Sequence, residues 1–309
     1  MATNDFLSFA GGSGANVLTQ AAYVALSSTR SNGFTSGTAN SQQLNKVWRQ
    51  SSVIAASVAQ AISDLTGQDA VDDGTTATLT AMFKSAIRGA KSIQRFTASG
   101  SFTVPVGVTQ IWVSGCAAGG GGGSSLATNS SSFCTGGSGG GAGQSVRRTP
   151  LTVSPGQVIA VTIGLGGSGG TPATNNAADG GNTQLGSAGA LLNLLGGSKG
   201  LVGSGGTAVP ANYGGPQGGN GYPNGGYASD TTCYSGGVAS GGFGGLGGVS
   251  QFGAPGAPGR GASGSSPSAF AGFGFGAGGS GAGGAYNSSV TASGGSGAKG
   301  LDGYLEIEW

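Results

Sequence analysis

Glycine returns at every third position through residues 241–248 and again through 253–259, and no other feature of the sequence restricts its folding as strongly. Gly241, Gly244 and Gly247 form one register, Gly242, Gly245 and Gly248 a second, and Gly253, Gly256 and Gly259 continue the spacing through GAPGAPGRG. Three residues per turn is the period of the polyproline II helix, which has no internal hydrogen bonds. Its N–H and C=O groups must therefore pair with neighbours or with water. Glycine helices can pair side by side because only hydrogen projects at the glycine positions. Gly136 to Gly143, Gly214 to Gly226 and Gly272 to Gly284 are candidate neighbours. A packed bundle is favoured over collagen, whose Gly-X-Y repeat needs longer runs, and over disorder, because Leu, Val, Ile and aromatic residues keep interrupting the glycine.

The glycine is unevenly spread. Of 71 glycines in 309 residues, only eight (Gly11, Gly12, Gly14, Gly33, Gly37, Gly67, Gly74 and Gly89) precede residue 94. The shift sets a domain boundary there, giving residues 1–93 and 94–309. Twelve basic and ten acidic residues nearly cancel, so no electrostatic footprint for nucleic acid or an anionic membrane is present. MATNDFLSFAGG has neither a basic n-region nor a long apolar h-region, so no secretory signal is expected. No stretch is long enough to span a bilayer, so no membrane insertion is expected. Cys116, Cys134 and Cys233 are read as cytoplasmic thiols, with a Cys134 to Cys233 bridge as the alternative.

Residues 1–93 read as helical. Residues 5–15 form an extended arm, Asn16 caps a helix over 17–27, and 28–40 is turn chemistry. Asn40 and Gln43 suggest a capping box opening a long helix over 41–66 that Gly67 stops. Within it Leu44, Ser51, Val58 and Leu65 repeat every seven residues, with Val47 or Trp48, Ile54 or Ala55, and Ala61 or Ile62 between. The seam Leu44, Val47, Trp48, Ile54, Val58, Ile62 and Leu65 fits either a coiled coil or an ordinary amphipathic helix. A third helix follows Asp72, Asp73 and Thr75, with Leu79, Met82, Phe83, Ala86 and Ile87 on one face.

After residue 94 the period becomes that of strands. SFTVPV and VTQIWVSGC flank a turn at Gly107, and SVRRTPLTVSP, QVIAVTIG and the closing YLEIEW follow. In YLEIEW, Leu305, Ile307 and Trp309 share one face, while Glu306 and Glu308 read as solvent-facing charges. Strands at both ends with glycine between them suggest one β-sandwich carrying long insertions.

Catalytic groups are scarce. Histidine is absent, which removes the commonest general base and metal ligand. No opposed carboxylate pair, zinc ligand set or phosphate-binding loop motif is visible, so neither enzyme activity nor any cofactor or metal is expected. Recognition then falls to NYGGPQGGNGYPNGGYASDTTCY, where Asn212, Tyr213, Asn220, Tyr222, Asn224, Tyr227, Asp230 and Tyr234 are receptor-binding candidates. Tyrosine with polar neighbours suits sugar faces or protein epitopes; the alternative is that these rings cover the sides of the bundle. Phe243, Phe252, Phe270, Phe273 and Phe275 read as packing.

FLSFAGGSGANVLTQAAYVAL with SQQLNKVWRQSSVIAASVAQAISDL resembles the attachment region of bacteriophage and prophage tail fibres. FTVPVGVTQIWVSGCAAGGGGG with LDGYLEIEW resembles the glycine-rich domain at the ends of such fibres. The resemblance implies an α+β chain: a helical, coiled-coil-like tail-attachment and trimerisation module, then a jelly-roll-like β-sandwich with inserted glycine-rich polyproline II-type segments. It implies a homotrimer in the virion, assembled in the host cytoplasm and docked on tail or baseplate proteins. Its distal tip would bind a bacterial surface receptor: a pilus, lipopolysaccharide or an outer-membrane protein. The near absence of a shaft suggests a short fibre close to the baseplate. The alternative function is a non-adhesive tail or baseplate component with the glycine bundle as a spacer. A polysaccharide-degrading spike is disfavoured by the missing carboxylate pair.

Overall fold

A computed structural model describes residues 2–37, 40–89, 92–128, 133–206, 215–229, 242–286 and 292–309. The chain is mixed helix and sheet, with helices in the N-terminal part followed by antiparallel sheets. It divides into two compact units, Met1–Ser92 with Pro105–Val108, and Ile93–Val104 with Thr109–Trp309. Among the described residues, no helix is long and apolar enough to cross a membrane.

The first unit is built on α3 (Ser41–Thr66), preceded by α1 (Gln20–Ala25) and α2 (Ser27–Asn32) and followed by α4 (Ala77–Gly89). The Asn40 side chain accepts from the amides of Gln42 and Gln43, and Gly67 closes α3 with a left-handed φ of 69°. Both ends of α3 thus follow from local chemistry. The start of α1 does not follow the expectation of an Asn16 cap. Thr19 caps it, because Asn16 Nδ2 donates to Ser41 Oγ at 3.2 Å and its carbonyl accepts from Asn45 Nδ2 at 2.8 Å. Part of the expected turn over 28–40 is helical instead, with Asn32 donating back to Ser28 Oγ at 3.4 Å.

The N-terminal arm is tied along α3. Asn4 Nδ2 donates to the Ala56 carbonyl at 3.1 Å, Ser63 Oγ to the Thr3 carbonyl at 3.1 Å, and the Phe9 amide to Ser52 Oγ at 2.8 Å. Ala59 and Ile62 of α3 and Met82 and Ala86 of α4 are buried. Phe83 and Ile87, expected on the same packed face as Met82, are 44% and 59% exposed.

The second unit holds two four-stranded antiparallel sheets. One has the order β1 (Ile93–Phe96), β8 (Tyr304–Glu308), β3 (Gln110–Cys116), β4 (Ser145–Thr152). The other has the order β2 (Gly100–Thr103), β5 (Val158–Thr162), β6 (Thr183–Leu185), β7 (Leu192–Leu194). Each buries alternate residues: Ile111, Val113, Leu305 and Ile307 in the first, Phe102, Ile159, Val161 and Leu185 in the second. The Phe102 ring lies 5.3 Å from that of Trp309, just after β8. The closing strand is internal, paired with β1 on one side and β3 on the other. Glu306 and Glu308 are therefore not simple solvent-facing charges. Glu306 pairs with Arg95 at 2.7 Å and accepts from Tyr304 Oη at 2.9 Å, and Glu308 pairs with Arg148 at 3.2 Å.

Between the strands the glycine-rich segments hydrogen-bond to one another with a period of three. From the buried run 117–125, Gly119 and Gly122 donate to Leu301 and Ala298, Gly120 and Gly123 to Gly141 and Ser138, and Gly121 to Ala178. The carbonyls of the same run accept from Gly167 and Gly170, from Gly197, Gly200 and Gly203, and from Gly279 and Ala282. A step of three residues returns to the same neighbour, as a three-residue turn requires. Segments 136–143 and 276–284 are enclosed in the same way, and all three are buried. The pairing leaves no room for side chains on the inward edge: a Cβ on Gly120 would overlap the Ser198 carbonyl, and one on Gly121 that of Ser168.

Candidate functional site

The exposed edge of this lattice carries the middle of the Tyr/Asn stretch. The Gly219 amide donates to the Gly139 carbonyl and the Tyr222 amide to that of Ala142, each at 2.9 Å. Residues 219–222 are thereby laid against the buried run 136–143, and Asn220 and Tyr222 point outward, Tyr222 with 49% of its surface exposed. Asn224 Oδ1 accepts from the Gly221 amide at 2.8 Å, and the Gly225 amide donates to the Gly219 carbonyl at 2.8 Å, which folds 219–225 into a fixed loop.

A second segment completes the site. The Ser198 amide donates to the Asn220 carbonyl at 2.7 Å, bringing 195–201 alongside. Leu195, Gly196 and Ser198 with Asn220, Tyr222 and Asn224 line a depression of about 360 Å³. Ser198 and Asn220 also border a second depression of about 290 Å³, with Asp179, Lys199, Leu201 and Gln217. The two depressions share Ser198 and Asn220 and so lie side by side, together forming a trough. Its charged residues are adjacent, with Asp179 Oδ1 accepting from the Lys199 amide at 2.8 Å. Ser198, Gln217, Asn220 and Tyr222 line the trough, and among the described residues their side chains make no hydrogen bond.

Of the eight residues singled out by sequence, the structure therefore brings together Asn220, Tyr222 and Asn224. Tyr227 lies outside the trough and is 65% exposed. Asn212, Tyr213, Asp230 and Tyr234 fall outside the described residues. Sequence reasoning missed Asp179, Ser198, Lys199 and Gln217, single polar residues in glycine runs that carry no local signal. It also misassigned part of the phenylalanine set. Phe252 and Phe275 do pack, 5.7 Å and 4.9 Å from the Tyr304 ring. Phe243, Phe270 and Phe273 are instead 55%, 66% and 74% exposed.

In the first unit the α3 seam is split. Ile62 is buried within its own chain, Leu44 and Val47 are half-buried, and Trp48, Ile54, Val58 and Leu65 are exposed. Trp48 meets Phe9 edge-on at 5.8 Å. Cys233, the other half of the alternative bridge, lies outside the described residues, and Cys116 and Cys134 are buried thiols. Burial pushes both up to about 11, which keeps them protonated near neutral pH.

The second unit combines antiparallel sheets with glycine segments hydrogen-bonded to one another. A family model described as a glycine-rich domain matches residues 97–304, most of the chain, and the protein belongs to that family. No curated protein matches the chain.

Proposed function

We propose that the protein is a bacteriophage or prophage tail fibre whose residues 1–93 attach it to the tail baseplate and trimerise it, and whose residues 94–309 adsorb to the host cell. The observation that carries this reading is the pairing of an exposed Tyr/Asn trough with a closely packed, hydrogen-bonded glycine lattice beneath it. A binding surface fixed before contact loses little entropy when its ligand arrives, which favours adhesion. The exposed residues Ile54, Val58 and Leu65 support trimerisation: three copies of α3 packed along that line would cover an apolar face that one copy leaves in water. In this reading the two sheets form a jelly-roll-like sandwich, the location is the virion after assembly in the host cytoplasm, and the mechanism is binding without bond cleavage or cofactor.

The test is genetic and physical. Particles assembled with residues 94–309 deleted keep their tails and lose adsorption; normal adsorption would overturn the adhesin reading and leave a spacer. Release of reducing ends from host polysaccharide by the purified protein would overturn the exclusion of catalysis.

A further inference from the structure

We propose that the trough at Ser198, Asn220 and Tyr222 is a glycan subsite that takes a short stretch of bacterial surface polysaccharide. This deepens the adhesin reading and rests on it. The groups present eliminate the other ligand classes in turn. An extended peptide would need open backbone donors to add as a strand, but the amides of Ser198, Gly219 and Tyr222 are already bonded to Asn220, Gly139 and Ala142. An anionic ligand would need a cluster of cations. Among the described residues the trough has Lys199 alone, and Asp179 is beside it. A compact apolar ligand would need an enclosing pocket, whereas both depressions are open to solvent and set Ser198, Gln217, Asn220 and Asn224 among their apolar residues.

A sugar chain needs what remains. Each hydroxyl both donates and accepts, and so do the amide groups of Asn220 and Gln217. A sugar ring also has a flat C–H face, and the half-exposed Tyr222 ring offers a flat apolar surface with a hydroxyl at its edge. Two neighbouring depressions of about 360 and 290 Å³ that share Ser198 and Asn220 suit an extended oligomer with one unit in each better than a single compact ring. The polymer meets a surface whose backbone is already hydrogen-bonded, so ordering of the protein backbone adds little to the entropy cost of binding.

The test uses the labelled full chain on a panel of bacterial strains, each untreated, periodate-oxidised or protease-treated. Delipidated lipopolysaccharide from an adsorbing strain serves as the soluble competitor. Adsorption should be lost after periodate, survive protease, and be competed by the polysaccharide. Tyr222→Ala and Asn220→Ala should each weaken it about tenfold or more, as for central contacts of an interface. Phe270→Ala, on an exposed ring outside the trough, should leave it unchanged. Circular dichroism identical to wild type confirms that the variants are folded. Adsorption that is protease-sensitive and periodate-resistant overturns the glycan inference and leaves the adhesin reading standing. Periodate-sensitive adsorption indifferent to both trough substitutions overturns this location. Adsorption to no strain overturns the adhesin reading and the subsite together.

Discussion

Arg95 and Glu306, separated by 211 positions, meet at 2.7 Å across the β1–β8 pairing, so the end of the chain is fastened to the start of its second unit. The register sets Arg95 directly opposite Glu306, where opposite charges on paired strands attract. The Arg95 guanidinium, then the Tyr304 hydroxyl, hold the Glu306 carboxyl below its ordinary 4.5 despite some desolvation.

A carboxylate whose value is depressed by folding stabilises the folded state above its unfolded value, and that stabilisation is lost as pH falls through the folded value. The melting temperature of the protein should therefore drop below about pH 4.5 with a contribution from Glu306. Thermal melts of Arg95→Gln should show a shallower acid slope over the same window; an unchanged slope would remove Glu306 from the account.

Gly120→Val and Gly121→Val should each destabilise the second unit by more than about 3 kcal/mol, beyond ordinary overpacking, because the new Cβ meets carbonyl backbone that no rotamer change can move. Gly12→Val, with nothing within 4 Å of its Cβ, is the control and should behave as wild type. Denaturant unfolding followed by circular dichroism compares them. Equal stability of all three would return residues 119–123 to the status of a flexible linker.

Leu305→Ala removes a side chain that is fully buried in the closing strand and should cost about 2–5 kcal/mol. Val158→Ala, at a site 68% exposed, should stay within about 0.5 kcal/mol of wild type. Urea midpoints separate the two, and a small effect at Leu305 would contradict an internal position for β8.

If α3 trimerises, light scattering of the wild type should give three times the 29.1 kDa protomer mass. Val58→Asp and Ile54→Asp, both at exposed positions, should shift it to the protomer with helicity retained. A wild-type protomer mass would refute the trimer.

Cys116 and Cys134 should resist alkylation in the native protein at pH 8, because burial raises both to about 11 and leaves little thiolate. Peptide mapping by mass spectrometry should find them labelled only after denaturation. Rapid native labelling of either would mean that the lattice opens readily.

How much of this was legible depended on whether the deciding group was local. The bounds of α3 were readable, since Asn40 and Gly67 act within one turn of themselves. The strands of SFTVPV, VTQIWVSGC and YLEIEW were readable from their alternation. The short strands Thr183–Leu185 and Leu192–Leu194 were not, because three residues cannot display a period. In the trough, Tyr222, Asn220 and Asn224 stood out by density, while Ser198 and Lys199 were indistinguishable from any polar residue in a glycine run.

By itself the sequence determined that glycine would recur every three residues, that those segments would need outside partners for their backbone groups, and that a helical part would precede a part made of strands. Only the tertiary structure decided which glycine segment lies beside which, that 117–125, 136–143 and 276–284 are enclosed, and that Ser198 comes to rest against Asn220. The reason is physical: glycine has no side chain with which to select a partner, and every peptide unit offers the same donor and acceptor. Neighbours are chosen by where the two sheets and the connecting turns deliver each segment, and that information is spread over the whole chain.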